Sequence, residues 1–269
     1  MCRRIGITRA NYYKRRQQRE RRRVDGDLVA QLVIRERIQQ PRLGTRKLKV
    51  LLKETLEEAG VQIGRDRLFE ELRKRQLLVQ KRRSEYPHTT NSRHDLPVFP
   101  NLMREAQIDA PNKVWVADLT YVRTKEAFVY LALLTDKHSR KIVGYHCGET
   151  LEASGCMAAL AMALADLPRG AKPIHHSDRG CQYCSHRYLE KLESGGLRVS
   201  MTEKNHTAEN ALAERMNGIL KGEYGLAGEF QNTQEVRRAV EQAVYLYNNR
   251  RPHTALGYRF PAAMHSVAE

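Results

Sequence analysis

Up to about residue 80, apolar residues recur at helical spacing and basic residues occupy the outer faces of the predicted helices. A basic helix is predicted after Thr8, a residue type suited to an N-cap, and a helical pair follows on either side of a break at residues 61–64. The pair suits DNA grooves or backbone in the manner of a helix-turn-helix, although an ordinary basic helical hairpin explains the same pattern. Its apolar positions are Leu48, Val50, Leu51, Leu52, Leu56, Leu68, Phe69, Leu72, Leu77 and Leu78.

Beyond residue 112 the pattern changes to short apolar runs that alternate with amphipathic helices. This order predicts an α/β fold, a mixed sheet with flanking helices. The predicted strands are Val114–Val122, Phe128–Thr135, Lys141–Gly148, Pro173–His176 and Val199–Met201. The predicted helices are Leu151–Leu167, Tyr188–Gly195, Glu209–Tyr224 and Thr233–Asn249.

A polar segment with three prolines between residues 87 and 100 separates the two patterns and predicts a linker. The predicted domains are therefore a basic helical region over 1–83, a linker over 84–112 and an α/β core with a C-terminal helix and tail over 113–269.

Positive charge is concentrated in the helical part. The whole chain has a net charge of +16, and residues 1–100 contribute 26 Lys and Arg against 12 Asp and Glu. Residues 101–269 contain 21 basic and 19 acidic residues and are nearly neutral. This asymmetry favours a front region that contacts a polyanion and a back region that carries out chemistry, although a solvated basic tail explains part of it.

The sequence contains no uncharged apolar run of eighteen residues and no apolar segment typical of a secretory signal at its start. Its five cysteines are expected to be free thiols in a reducing compartment. We therefore expect no membrane contact and a cytoplasmic location.

Three carboxylates in the back half are the candidate catalytic and metal-binding residues. Asp118 interrupts one predicted strand, Asp178 follows another, and Glu214 lies on a predicted helix, with 59 and 35 residues in the two gaps. Taken singly, a strand Asp is often paired with an Arg and a helical Glu is usually solvated. A fold that gathers all three would offer hard oxygen ligands suited to Mg²⁺ or Mn²⁺, the ions used to cut and join phosphodiesters.

The flanking strings WVADLTYVR, HSDRGCQY, AENALAE and YNNRRPHTALGYRFP resemble the integrase-type core of bacterial insertion-sequence transposases, specifically the second-reading-frame (OrfB) product. The resemblance covers roughly residues 110–265. It implies a ribonuclease-H-like fold, with Asp118, Asp178 and Glu214 as ligands of two Mg²⁺ or Mn²⁺ ions when DNA is bound. It also implies strand nicking with water as the nucleophile and strand transfer with a DNA 3′-hydroxyl.

The chain departs from the family pattern at several positions. Ala117 precedes the first Asp where a hydroxyl residue is usual, and Cys181 and Cys184 replace common Ser or Thr. The string EKNHTAEN also differs from the usual glycine-cysteine-tyrosine-aspartate version, which puts the substrate contacts expected around residues 205–210 in question.

Several basic residues are candidate DNA contacts. Lys221 lies two helical turns beyond Glu214, and the resemblance implies that it points at DNA phosphate near the metal ions. A solvated surface lysine is the alternative for Lys221, and the C-terminal tail could equally be a packing strap. The complete candidate set is Lys221, Arg179, Arg215, Arg251, His253, Arg15 and Arg16.

The family also implies partners. We expect DNA at the element ends and at the target, a homo-oligomer that pairs two ends, and the first-frame product of the element, often as a frameshift fusion. When bound to DNA the protein would be associated with the nucleoid.

Two other functions fit the sequence: a different ribonuclease-H-like nuclease that cuts without joining, and a non-catalytic DNA-binding regulator of transposition. A zinc site is a further possibility, because Cys181 and Cys184 have CxxC spacing with His175, His176 and His186 nearby. No second CxxC or spaced His pair completes a four-ligand set, so the sequence favours free thiols.

Overall fold

The computed structural model describes residues 7–80, 96–203 and 209–266. It divides the chain into two compact units, one up to Lys81 and one from Arg82. Within the described residues, no helix is both long enough and apolar enough to cross a bilayer.

The first unit is entirely helical in its described part and consists of α1 (Arg9–Gln39), α2 (Thr45–Leu51), α3 (Lys53–Glu58) and α4 (Arg65–Lys74). The Thr8 side chain accepts a hydrogen bond from the backbone N–H of Asn11 at 3.2 Å, which confirms the predicted N-cap. The core of this unit consists of Val29, Val33, Leu43, Leu48, Leu52, Leu56, Val61, Leu68 and Leu72.

Two details of this unit differ from the prediction. The single helix expected before the break is two helices, which meet at Leu52 where the backbone leaves helical geometry. Val50 and Phe69 were expected on the apolar faces but are exposed, and the Arg73 guanidinium lies over the Phe69 ring at 5.1 Å.

The second unit contains a mixed sheet in the strand order β3-β2-β1-β4-β5, with the short β6 paired to β1. The pairs β1–β2 and β2–β3 are antiparallel, and β1–β4 and β4–β5 are parallel. The strands are β1 (Val114–Thr124), β2 (Phe128–Asp136), β3 (Ile142–Gly148), β4 (Ile174–Ser177), β5 (Arg198–Met201) and β6 (Glu229–Phe230). The predicted α/β fold is confirmed.

Helices cover both faces of this sheet. On one face, α5 (Ala153–Ala165) and α7 (His186–Ser194) pack on Trp115, Ala117 and alternate residues of β2. On the other face, α8 (Ala211–Glu223) and α9 (Thr233–Arg250) pack on the residues of opposite parity, including Val122, Val129, Leu131 and Leu133. The remaining helices are the short α6 (Cys181–Cys184) and α10 (Pro261–Ser266). Because side chains alternate along a strand, Asp118 lies on the α8 and α9 face together with Val122.

The second half of the predicted linker belongs to the sheet unit. Residues 84–95 lie outside the described part of the chain, but Leu102, Met103 and Ile108 pack on a small core cluster formed by β1, β4 and α8. The backbone N–H of Leu102 also donates to Ser200 Oγ on β5 at 2.9 Å. The segment is a loop with one 3-10 turn at Leu102–Arg104, as the proline-rich composition indicated, but its apolar side chains are partly buried against the sheet unit.

Candidate active site

The pairing of β1 with β4 sets the positions of the first two carboxylates. The parallel register joins Trp115 to His175 and Val116 to His176, an offset of sixty residues. Continued for two residues, this register places Asp118 level with Asp178, which directly follows the last residue of β4. Asp178 therefore lies at the carboxyl end of β4, where open α/β sheets form their sites, and Asp118 lies beside it within β1, which continues to Thr124.

Two asparagines attach the helix of Glu214 to the strand of Asp118. Asn217 Nδ2 donates to Asp118 Oδ2 at 2.6 Å, and Asn210 Nδ2 donates to the carbonyl oxygen of Ala117 at 3.0 Å. These asparagines lie four residues before and three residues after Glu214, so all three share one face of the helical segment. The face that carries Glu214 is thus held against Asp118.

The electrostatics show that the three carboxylates share one environment. Burial and the charges of Asp178 and Glu214 raise the pKa of Asp118, hydrogen bonds from the Leu119 backbone and Asn217 lower it, and the result is a pKa of about 7. Burial and the charge of Asp178 also raise the pKa of Glu214. The site therefore holds excess negative charge, which a divalent cation would neutralise.

The carboxylates do not form a closed chelate. Across residues 7–80, 96–203 and 209–266, no three His, Cys, Asp or Glu side chains are positioned to hold a metal ion as they stand. The Glu214 side chain is exposed at the start of α8, whereas Asp118 and Asp178 are half-buried. Oxygen donors of this kind and charge would fit Mg²⁺ or Mn²⁺, and Glu214 is the carboxylate with room to move.

Lys221 was expected to point at DNA, but it is buried. Its Nζ lies 4.2 Å from the centroid of the Tyr121 ring, and burial lowers its pKa to about 8 against the opposing effect of Asp118. Lys221 is seven residues beyond Glu214 on the same helix face. The structure therefore places a positive charge beneath the carboxylates and not on the surface.

The sequence of this chain is similar to those of known protein families and proteins. The integrase core domain family matches residues 109–207, and a second integrase core domain family matches residues 195–261. A 31 kDa protein of insertion element IS600 from Shigella sonnei is 38% identical over 267 residues, which covers 98% of this chain and 96% of the relative. The transposase for insertion sequence element IS904 from Lactococcus lactis is 31% identical over 217 residues, 79% of this chain and 84% of the relative. The chain belongs to the insertion-sequence transposases.

The integrase core places this transposase in the OrfB type that the flanking strings indicated. Among solved structures, the simian T-cell lymphotropic virus intasome in complex with the PP2A regulatory subunit B56 gamma contains a similar chain. The TM-score is 0.51 at 19% identity, covering 83% of this chain and 70% of that one. This likeness shows the retroviral-integrase, ribonuclease-H-like fold that the sequence resemblance implied.

Four of the candidate DNA contacts of the transposase keep side chains at or near the surface. Arg215 is exposed on α8, one residue beyond Glu214, and Arg15 and Arg16 are exposed on α1. Arg179 is half-buried, and its Nε donates to the carbonyl oxygen of Thr202 at 2.6 Å. Their contact with DNA stays a prediction.

Arg251 is a correction to the candidate set. Its side chain is buried, and its Nε and Nη2 each donate to a carboxylate oxygen of Glu223 at 2.8 Å. The guanidinium also lies 5.5 Å from the centroid of the Tyr247 ring, and His253 meets the same ring edge-on. Since this bidentate pair joins the end of α8 to the end of α9, Arg251 has a packing role, consistent with a tail that straps the core.

Three of the possible zinc ligands near Asp178, His175, His176 and Cys184, are packed in the core, whereas Cys181 is half-buried and His186 is exposed. His175 Nε2 is 2.9 Å from the Tyr188 hydroxyl, and His176 Nδ1 is 2.9 Å from Ser200 Oγ, both inside the sheet. Burial lowers the pKa of these imidazoles to about 3 and about 4 respectively. Cys184 is buried against Met201, so its thiol pKa is raised to about 11. Both histidines and Cys184 are thus packed in the core, away from a shared zinc site.

Asn210 and Asn217 are the site residues that the sequence interpretation missed. The sequence did contain a signal for them. Asn210 lies four residues before Glu214 and Asn217 three residues after it, and this spacing puts both amides on the helix face that carries the Glu214 carboxylate. Amide side chains on a helix are common, however, and only the fold shows that these two meet β1.

Proposed function

We propose that this transposase catalyses metal-dependent strand nicking and strand transfer at the ends of its insertion sequence. The observation that carries the proposal is the meeting of Asp118 and Asp178 at one level of the sheet, with the Glu214 helix attached to them through Asn217. Asp118, Asp178 and Glu214 would hold two Mg²⁺ or Mn²⁺ ions with DNA bound. Such ions lower the pKa of the attacking water or 3′-hydroxyl and stabilise the leaving oxygen.

The residues of the chain have separate tasks in this proposal. Asp118 is positioned by Asn217 and supplies negative charge in a half-buried setting. Lys221 lies beneath the site, where its charge limits the repulsion among the carboxylates before the ions bind. A side-chain rotation of Glu214 toward the two aspartates would complete the coordination when DNA and metal arrive together.

The proposal extends to partners. DNA is the expected substrate and target, bound in part by the exposed basic residues of α1. A homo-oligomer would bring two element ends together, and the first-frame product would supply further end recognition, often as a fusion.

The test is incubation of the protein with duplex DNA that carries candidate element ends, with and without Mg²⁺, followed by mapping of nicks and joined products. We expect nicks at the end boundary and a covalently joined product when a free 3′-hydroxyl end is present. Nicking without any joined product would indicate a simple nuclease. DNA binding without either product, in the presence of the first-frame protein, would indicate a regulator.

Asn217→Ala is expected to weaken metal-dependent nicking without unfolding the protein. Loss of the hydrogen bond to Asp118 leaves that carboxylate free to rotate, and loss of such an outer partner typically costs about 10- to 100-fold in metal affinity or activity. A titration of nicking rate against Mg²⁺ concentration checks this, since the half-saturating concentration should rise. Gln242→Ala, on the exposed face of α9, is the matched control. An unchanged Mg²⁺ titration in the Asn217 variant would remove it from the site.

A further inference from the structure

A second cavity, distinct from the carboxylate site, opens in the sheet unit. It has a volume of about 710 Å³ and lies where the turn after β2 meets the segment between α9 and α10. Its lining includes Lys137, His138, Arg140 and Arg259, with Ile108 and Leu256 among the apolar residues. No Asp or Glu lines it. A cavity with three permanent cations and a histidine favours an anionic ligand.

Several contacts fix the backbone and the walls around the cavity. Arg140 has a positive φ of 65°, and its backbone carbonyl oxygen accepts a hydrogen bond from the Tyr247 hydroxyl at 3.0 Å. His138 Nδ1 lies 3.4 Å from the carbonyl oxygen of Ile108. The wall carried by α10 is fastened by His265 Nδ1, 2.9 Å from the buried Ser139 Oγ. A site preorganised in this way avoids much of the ordering cost of binding.

Arg140 and Lys137 are partly buried cations that repel each other. The Arg140 Nε is buried and has no hydrogen-bond partner within the described part of the chain. Burial lowers the pKa of Arg140, and burial together with the Arg140 charge lowers the pKa of Lys137. An anion bound between Lys137 and Arg140 would relieve both the repulsion and the lost solvation. The charge of the nearby Asp136 raises the pKa of Arg140, but burial outweighs it, and this fully buried carboxylate already accepts from the backbone N–H groups of Asn112 and Ser139.

The position of the cavity relates it to the carboxylate site. The backbone N–H of Lys137 donates to the carbonyl oxygen of Val114 at 2.9 Å, so the cavity lies near the start of β1. Asp118 is four residues further along the same strand, about 13 Å at the usual rise per residue. This is the axial length of about four base pairs of duplex DNA.

We propose that this cavity, with Lys137, Arg140 and Arg259, binds a backbone phosphate of the DNA whose strand is processed at Asp118. The inference rests on the proposed function, since it requires DNA at the carboxylate site. It adds a binding position for DNA about four base pairs from the reacting bond. The contact would fix the register of the duplex without reading its sequence.

The test compares the full chain with the double variant Lys137→Gln/Arg259→Gln by fluorescence anisotropy, using a labelled duplex with an element end. The slope of log affinity against log salt changes by about 0.9 for each phosphate that the protein neutralises, so loss of this one phosphate contact should lower the slope of the double variant by about 0.9. At 0.1 M salt the affinity should fall by tenfold or more. Arg187→Gln, exposed on α7, is the control for the removal of a surface charge, and Lys137→Arg/Arg259→Lys should restore the slope.

The outcomes separate this inference from the proposed function. If the wild-type protein binds and nicks DNA while the double variant keeps the wild-type salt slope and affinity, the phosphate contact is wrong. The same conclusion follows if the double variant alters only the oligomeric state, since the cavity would then serve a protein contact. If the wild-type protein binds the duplex but makes no nick with Mg²⁺, the proposed function is wrong. The salt slopes of the wild type and the double variant still show whether the cavity contacts a DNA phosphate. A melting curve that matches the wild type shows that the double variant is folded.

Discussion

Asp118→Asn, Asp178→Asn and Glu214→Gln are each expected to abolish nicking and joining while DNA binding persists. Each change keeps the size of the side chain but removes one negatively charged oxygen ligand. Loss of a few kcal/mol of transition-state stabilisation corresponds to a decrease of about a thousandfold or more in rate. The measurement is nick and joint formation on an end-bearing duplex with Mg²⁺, alongside anisotropy for binding.

The controls for this result come from neighbouring carboxylates. Asp166→Asn, exposed at the end of α5, should keep full activity. Glu209 lies five residues before Glu214 but is paired with Arg104 and accepts from the Glu203 backbone N–H. Glu209→Gln should therefore affect stability and leave the chemistry in place. Near-normal nicking in any one of the three proposed ligand variants would exclude that residue from the metal site.

In the metal-free protein, the contribution of Asp118 to stability is expected to fall as the pH rises from about 4 to about 8. The pKa of Asp118 is about 7 in the folded protein and near 3.9 in an unfolded chain. Over that interval the folded state holds the extra proton, so a rise in pH favours unfolding. The pKa of Glu214 is also raised, which adds an effect of the same sign. The stability associated with Asp118 is therefore present below about pH 4 and lost by about pH 8.

A difference measurement isolates this effect. His175 and His176 have lowered pKa values, so their contribution to stability increases with pH and opposes that of Asp118. Both histidines are unchanged in Asp118→Asn, so the free energy of unfolding of the variant minus that of the wild type should increase by about 4 kcal/mol between pH 4 and pH 8. Denaturant titrations in a chelating buffer give both values.

Added Mg²⁺ or Mn²⁺ should restore the stability that the wild type loses through Asp118 at high pH. An ion bound by the folded protein alone stabilises it by mass action, by about 2.7 kcal/mol at one hundred times the dissociation constant. The Asp118→Asn variant should show little of this gain. A difference between variant and wild type that does not change with pH, together with a wild-type stability that divalent ions do not raise, would contradict the idea that these carboxylates repel one another and bind metal.

Most of the sheet and its helices could be predicted from local pattern. The runs of β1 and β2 alternate between two buried faces, and α5 and α9 carry apolar residues at helical spacing, so these elements were found to within a few residues. The two-residue β6 and the four-residue α6 were not predicted, because pieces this short have no period of their own. The break at Leu52 was also missed, since apolar residues four positions apart continue through it.

The linear chain itself contains the three acidic residues with their spacing, the basic charge of the front region and the family strings. These features were sufficient to predict the fold and the family. The contacts among residues that are distant in the chain cannot be predicted in this way. Lys221 and Arg251 were both expected to face DNA, yet one is stacked on Tyr121 and the other is paired with Glu223. A basic side chain looks the same in sequence whether it is solvated or buried with a partner. Burial and pairing depend on which segments the sheet register and helix packing bring together.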